Sequence, residues 1–337
     1  MVGQVCLAAK RGIVLLLFCA AQLLAATLPG MAASEPATVR VGVLKFGTVN
    51  WELEVMQHHG FDRRHGVVLQ VVELAGKEAT TVALQGHAVD LIVTDWVWVS
   101  LRRAAGADYT FVPHSGTVGG LMVRPDSGIK SLADLKGKKI GVAGGALDKS
   151  WLLLRAYGRK TLGIDFATAA EPVFAAPPLL NAVMTRGELP AVLNFWHYNA
   201  RLKASGMQQL ISVREMLPAL GIAETPPLLG WVFSETWAAE HRAALLGFLQ
   251  ASRDAKRELA ASDAEWLRIR KETGAESDAI LFALRDAYRD GIAQSGGKNP
   301  AAAAAAVLKL LAEFAGPDLA GAGKPLAPGT FWNGLPE

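Results

Sequence analysis

SLADLKGKKIGVAGG, residues 131–145, is the stretch from which the rest of the chain can be laid out. Ser131 can cap a short helical turn that carries Asp134 near its start. Lys136-Gly137-Lys138-Lys139 makes a charged turn. Ile140, Gly141, Val142 and Ala143 then read as a short buried strand, and Gly144-Gly145 breaks it. Asp148 can cap the next helix, which runs through Trp151, Leu152, Leu153, Leu154, Arg155 and Tyr157. A capped turn, a strand, a glycine loop and a helix open an α/β lobe. This one begins mid-chain, so a complete lobe is expected before it.

Upstream, the pattern alternates. Residues 38–44, 67–74, 88–93 and 110–113 read as strands, with helices over 51–59, 78–85 and 96–105 between them. Such alternation predicts a mostly parallel sheet covered on both faces. Downstream of the opening motif, strands are predicted at 171–174, 191–194 and 210–213, with helices at 177–186 and 199–204. The remainder is helical, over 235–261, 263–273, 276–292 and 301–314, and the alanine tract at 301–306 has the highest helix propensity available. Two extended stretches, GTVGGLMVR at 116–124 and PLLGWVFS at 227–234, read as crossings between the two lobes. Gly119, Gly120 and Gly230 lie in them, and Gly120→Val is expected to alter a hinge while sparing the core.

The N-terminus predicts the compartment. Lys10-Arg11 precedes an uncharged apolar run of about 17 residues, then Pro29-Gly30 and the small residues Ala32, Ala33 and Ser34. Basic, apolar, then small is the order of a secretory signal peptide, expected over residues 1–33 with cleavage between Ala32 and Glu35. Both cysteines, Cys6 and Cys19, fall in this segment. Lipidation at Cys19 is disfavoured by Phe18 before it. A mature chain would have no disulfide, no thiol chemistry and no cysteine-bound metal. Without Lys10 and Arg11 the net charge falls from +3 to +1. That balance argues against nucleic acid as a partner.

The opening motif SLADLKGKKIGV resembles the start of the second lobe in periplasmic solute-binding proteins of ABC importers. The similarity is to the branch serving nitrate, taurine, alkylsulfonates and thiamine-precursor pyrimidines, the SsuA/THI5-like or NMT1-like proteins. ALQGHAVDLIV (83–93) resembles that family's segment before the third strand, and PLLNAVMTRGELPAVLNFWHYNARL (178–202) its second-lobe helix, strand and ligand loop. The resemblance implies a type II periplasmic-binding-protein fold. Two α/β lobes, residues 34–118 with 231–337 and residues 119–230, would be joined by two crossings around a ligand cleft. Relatives often carry an acidic residue and a proline after the tryptophan where this chain has His197-Tyr198, so the ligand is left open.

Ligands of open α/β sheets bind beyond the C-terminal ends of strands. The first lobe then offers Lys45, Phe46, Asn50, Trp51, Thr94, Asp95, Trp96, His114 and Ser115. The second offers Gly145, Asp148, Lys149, Ser150, Asn194, Trp196 and His197. The three tryptophans read as core or as aromatic walls for a planar, apolar or cationic group. Asp95 reads as a partner for an amine or as a helix cap. Lys45 and Lys149 suit a sulfonate or carboxylate, and the amides after Gly145 suit an anion unless Asp148 fills them. Asp95 and the tryptophans together favour an amine or nitrogen heterocycle over a bare anion. His58, His59 and His65 lack a carboxylate cluster at metal-ligand spacing, and no cofactor is expected. Gly116, Gly119 and Gly120 precede an extended segment rather than a helix, so they make no nucleotide loop.

The function expected is therefore a monomeric periplasmic receptor. It would capture a small organic solute by hinge closure and deliver it to an inner-membrane ABC permease. A ligand sensor for a signalling receptor is the alternative. An enzyme is not expected, because the pyrimidine-synthesising relatives use a cysteine-rich motif that a mature chain would lack.

Overall fold

The computed structural model describes residues 35–293, 299–315 and 325–335. The expected signal peptide, both cysteines and the stretch just after Gly316 lie outside them. Residues from Ala37 onward form one compact unit. It contains β1 (Ala37–Leu44), α1 (Val49–His58), α2 (Phe61–Arg64), β2 (Val67–Leu74), α3 (Lys77–Gln85), β3 (Leu91–Asp95), α4 (Trp96–Ala104), β4 (Tyr109–Ser115) and β5 (Gly120–Val123). After a 3₁₀ turn at Leu132–Leu135 come β6 (Lys139–Ala143), α5 (Lys149–Leu162), α6 (Phe166–Ala169), β7 (Glu171–Ala175), α7 (Pro177–Thr185), β8 (Ala191–Asn194), α8 (Trp196–Ala204) and β9 (Gln208–Ser212). The chain continues through α9 (Val213–Ala219), β10 (Leu229–Ser234), α10 (Glu235–Glu240), α11 (Arg242–Ala261), α12 (Asp263–Arg268), α13 (Arg270–Thr273), α14 (Asp278–Ala293) and α15 (Pro300–Ala315). No described helix is long and apolar enough to cross a membrane.

The strands form two five-stranded sheets, ordered β2-β1-β3-β10-β4 and β7-β6-β8-β5-β9. β1 lies parallel to β2 from Ala37 beside Val67 to Leu44 beside Leu74. Both strands are rich in the β-branched residues that suit a pleated, covered surface. The two stretches read as plain crossings hold a strand each. β5 runs antiparallel between β8 and β9, and β10 antiparallel between β3 and β4. Buried on both faces, these short apolar strands carry no alternation that would have marked them.

That position leaves the crossing glycines no slack. A Cβ on Gly119 would stand 2.2 Å from the Asn194 carbonyl oxygen, and one on Gly120 2.7 Å from that of Ile211. The expectation that Gly120→Val spares the core is therefore corrected. The helices end where local chemistry stops them. Ser131 and Asp134 make a reciprocal capping box at the 3₁₀ turn, as Ser212 and Glu215 do at α9. The long helix expected over 235–261 is divided at His241.

One apolar cluster fills the first lobe around Val39, Val41, Leu53, Phe248, Trp266 and Leu281. A second runs from Ile92, Trp96 and Phe111 to Leu121, Ile140, Leu153 and then to Ala304, Val307 and Leu311 of α15. α15 packs on α5, and α14 on α8, so the last two of the helices that follow β10 reach the second lobe. Arg201 of α8 donates to the Thr273 and Gly274 carbonyls at 2.6 and 3.1 Å, and Arg155 of α5 to that of Phe314 at 3.1 Å.

Candidate functional site

β1, β2 and β3 all end on one side of their sheet, and the turns that follow them collect polar residues there. Asp95 closes β3 and caps α4, accepting from the Trp98 amide at 2.9 Å. Its other oxygen meets Lys77 Nζ at 2.7 Å and Lys149 Nζ at 3.1 Å. Lys77 follows β2, whereas Lys149 opens α5 beside the second sheet. One carboxylate thus joins two lysines from opposite lobes. Burial pushes the Asp95 carboxyl up, but Lys149, Lys77 and the Trp98 amide outweigh it, and the group titrates far below its ordinary value. Burial pulls Lys149 down, yet Asp95 and Asp148 more than reverse this. Asp148 caps α5 through the Ser150 and Trp151 amides, and burial raises its pKa above the ordinary value. Asp95 and Lys149 are largely out of water, so their attraction is screened less than that of a surface pair, whereas the Lys77 side chain is half exposed.

Of the two readings of Asp95, the helix cap is present, and two lysines hold its other oxygen. Trp96 is fully buried among core residues of α4 and β3, as the core reading of the tryptophans has it. Trp51 is 4% exposed, and its indole N–H donates to the Glu272 carbonyl at 3.1 Å. Only Trp196 keeps part of its surface. It meets Trp51 edge to face at 5.9 Å, so an aromatic contact also joins the lobes. Asn194 is buried and saturated: it donates to the Pro177 carbonyl and Asn181, and accepts from the Phe195 amide. The Asp148 carboxylate occupies the Ser150 and Trp151 amides, the donors an anion would need.

The remaining expected residues stay at the strand ends. Lys45 and Phe46 are exposed, with the Lys45 ammonium 5.6 Å from the Phe46 ring centre, and Phe46 is 88% exposed. Asn50 ties the β1–α1 turn, donating to the Leu44 and Lys45 carbonyls. Ser115 bonds Thr117, and Gly145, with φ of 90°, leads to Asp148. His197, largely buried, titrates near 4 because burial and Arg201 disfavour its cation. Thr94, beside Asp95, is 2% exposed.

Two features were missed. Lys77 lies at the start of α3, just past β2, the same kind of position that singled out Lys45. The second is a buried network in the first lobe. Glu52 accepts from Ser252 at 2.5 Å and Tyr288 at 3.0 Å, and pairs with Lys256 at 3.0 Å. Lys256 also donates to His114 Nδ1 at 2.9 Å, which puts the imidazole proton on Nε2. Burial and Lys256 drive His114 down to about 3, against the pull of Glu52. His114 therefore belongs to this interior network.

A groove of about 710 Å³ between α8, α9 and α14 includes Trp196 alone of the expected site residues. His59, Glu258 and Glu265 bring one ligand atom each within 4.8 Å of the others. Arg268 donates to both Glu265 oxygens, which makes this an ion-pair network rather than an open metal site.

A family model described as NMT1/THI5 like matches residues 52–262. The aliphatic sulfonates-binding protein of Escherichia coli (strain K12) is 29% identical over 185 residues, 53% of this chain and 56% of that protein. The matched region thus spans little more than half of that relative. The periplasmic aliphatic sulphonate binding protein SsuA from Escherichia coli superposes with a TM-score of 0.65 at 21% identity, over 83% of this chain and 87% of that one. A ligand-binding component of an ABC-type import system from Staphylococcus aureus, with zinc bound, gives 0.63 at 14% identity over 88% and 96%. At such identities the superpositions establish the fold alone, two α/β lobes. The family match covers more than half the chain, from α1 of the first lobe through the whole second sheet to the end of α11, and the chain belongs to the NMT1/THI5-like family.

Proposed function

We propose that this chain is the periplasmic solute-binding component of an ABC importer, and that its solute is a small organic anion of the sulfonate class. One observation carries the reading: Lys77 and Lys149, from opposite lobes, share a single carboxylate at the strand ends. Asp95 and Asp148 stand against Lys77 and Lys149 there, and Lys45 in the neighbouring turn brings the cations to three against two carboxylates where a solute would sit. An ammonium on the solute would meet repulsion there, and an anionic head group attraction. The sulfonate-binding relative supports the same class. In this reading the lobes, residues 34–118 with 231–337 and residues 119–230, close over the solute, and a signal peptide at 1–33 is removed on export. The protein acts as a monomer with an inner-membrane permease.

Calorimetry with ethanesulfonate and ethylammonium tests it. The sulfonate should bind, and Lys149→Met should weaken it about tenfold to a hundredfold, as for loss of a hydrogen bond to a charged group. Asp95→Asn should leave binding unchanged or tighter. Binding of the cation, lost in Asp95→Asn, would overturn the reading. N-terminal sequencing of exported protein should begin between Ala33 and Glu35.

A further inference from the structure

Among the described residues, several side-chain atoms out of solvent at the C-terminal strand ends have no hydrogen-bond partner. They include Asn50 Oδ1, Thr94 Oγ1 and His197 Nδ1. Buried polar atoms are nearly always paired, so unpaired ones at strand ends, Asn50 and Thr94 on the first sheet and His197 on the second, mark where a partner binds. Thr94 is 2% exposed and immediately precedes Asp95. A threonine hydroxyl can donate or accept, and a neutral imidazole nitrogen can do either according to its tautomer. Neither therefore reveals what it would meet.

Asn50 is more informative. Its Nδ2 donates to the Leu44 carbonyl at 3.0 Å and the Lys45 carbonyl at 3.1 Å. With the NH2 group committed, the atom left over is the carbonyl oxygen, which can only accept. The sheet order fixes what lies beside it. β1 stands between β2 and β3. Lys77, just past β2, reaches Asp95 at the end of β3 and so passes over the end of β1, where the turn from Leu44 to Asn50 sits. The Asn50 acceptor and the lysine ammonium groups therefore share one corner.

We propose that Asn50 determines specificity by accepting a hydrogen bond from a neutral hydroxyl on the solute, so that hydroxyalkylsulfonates are preferred over plain alkylsulfonates. This rests on the sulfonate reading above. An ammonium could also donate to Asn50, but Lys77, Lys149 and Lys45 outnumber Asp95 and Asp148 here, and both carboxylates are already engaged, so another cation would be repelled. A hydroxyl supplies the donor without the charge. A site built to meet a solute hydroxyl discriminates against the analogue lacking it, because the acceptor is then left dry and unpaired.

Calorimetry at pH 7 with three matched probes tests this: ethanesulfonate, 2-hydroxyethanesulfonate and 2-aminoethanesulfonate. The hydroxy compound should bind about tenfold more tightly than the plain one, and the amino compound most weakly. In Asn50→Ala the hydroxy-to-plain ratio should fall to about one. A loosened turn would weaken both probes alike and leave the ratio unmoved. A ratio near one in the parent protein, or the amino compound binding most tightly, overturns the inference while the sulfonate reading stands. A ratio preserved in Asn50→Ala overturns the assignment to Asn50. If none of the three binds, the sulfonate reading and the inference fall together.

Discussion

Glu52 has no exposed surface, yet it stays ionised: burial raises its pKa, and Lys256, His114 and Ser252 more than offset that. Its neighbours are committed to it on both oxygens. Glu52→Ala would leave the Lys256 ammonium without its carboxylate in the interior, and should cost about 3–5 kcal/mol of stability. Urea denaturation at pH 7 reads this directly. A loss below about 1 kcal/mol would mean that water reaches Lys256. Trp96→Ala should cost a similar amount, about 3–5 kcal/mol, because the indole is packed on all sides. Its effect on solute affinity should be small, in contrast to Trp196→Ala. Neither role was legible in the sequence. Glu52 and Tyr288 lie 236 residues apart, and local spacing cannot report such a meeting. Asp95 could be placed at a strand end by pattern alone, but its two lysine partners come from other turns. The charge that it presents to a solute therefore could not be inferred from its own neighbourhood.

At the scale of elements, alternation was a reliable guide wherever a strand or helix had a wet face. β1, β2 and α3 fall close to where periodicity puts them. It failed for β5 and β10, whose apolar residues are covered on both sides and whose glycines suggested flexible linkers. Gly120 illustrates the error. Its missing side chain lets β5 lie against β9, with the Ile211 carbonyl and the Ser212 Cα close by. Gly120→Ala should therefore destabilise the protein by about 1–3 kcal/mol, as overpacking does. A denaturation midpoint equal to the parent's would show that β9 can move aside without loss. The contacts of α14 and α15 with α8 and α5 were equally hidden. An amphipathic pattern shows that a helix has a buried face, and not which lobe covers it.

For the whole molecule, acidity should act as a global stress. His114 titrates near 3 and His197 near 4 in the fold, against about 6.5 in an unfolded chain. Both folded values are depressed, so the unfolded state binds more protons below pH 6.5. The stabilisation is complete above that value and is lost as pH falls toward 4. Each histidine should contribute a slope of about 1.4 kcal/mol per pH unit in that window. In His114→Asn the amide oxygen can replace Nδ1 as acceptor for Lys256, and the slope measured by urea midpoints from pH 7 to 5 should drop by about half. An unchanged slope would assign the acid sensitivity elsewhere. Closure is the second global property. Lys149 bridges the lobes through Asp95, so Lys149→Met should enlarge the radius of gyration of the ligand-free protein in X-ray scattering. No change would mean that α14, α15 and the Trp51–Trp196 contact hold the lobes by themselves.

The central place of β10 has a consequence for the order in which the chain is made. It sits between β3 and β4, yet it leaves the ribosome after every strand of the second sheet. The inserted sheet can zip as soon as β9 emerges. The first sheet cannot: until β10 arrives, β3 and β4 present facing, unpaired edges. At about 5–20 residues per second, the interval between β4 and β10 lasts several seconds. During it the amino-terminal half is an open template, exposed to a chaperone, to a translocation channel or to another nascent copy of itself.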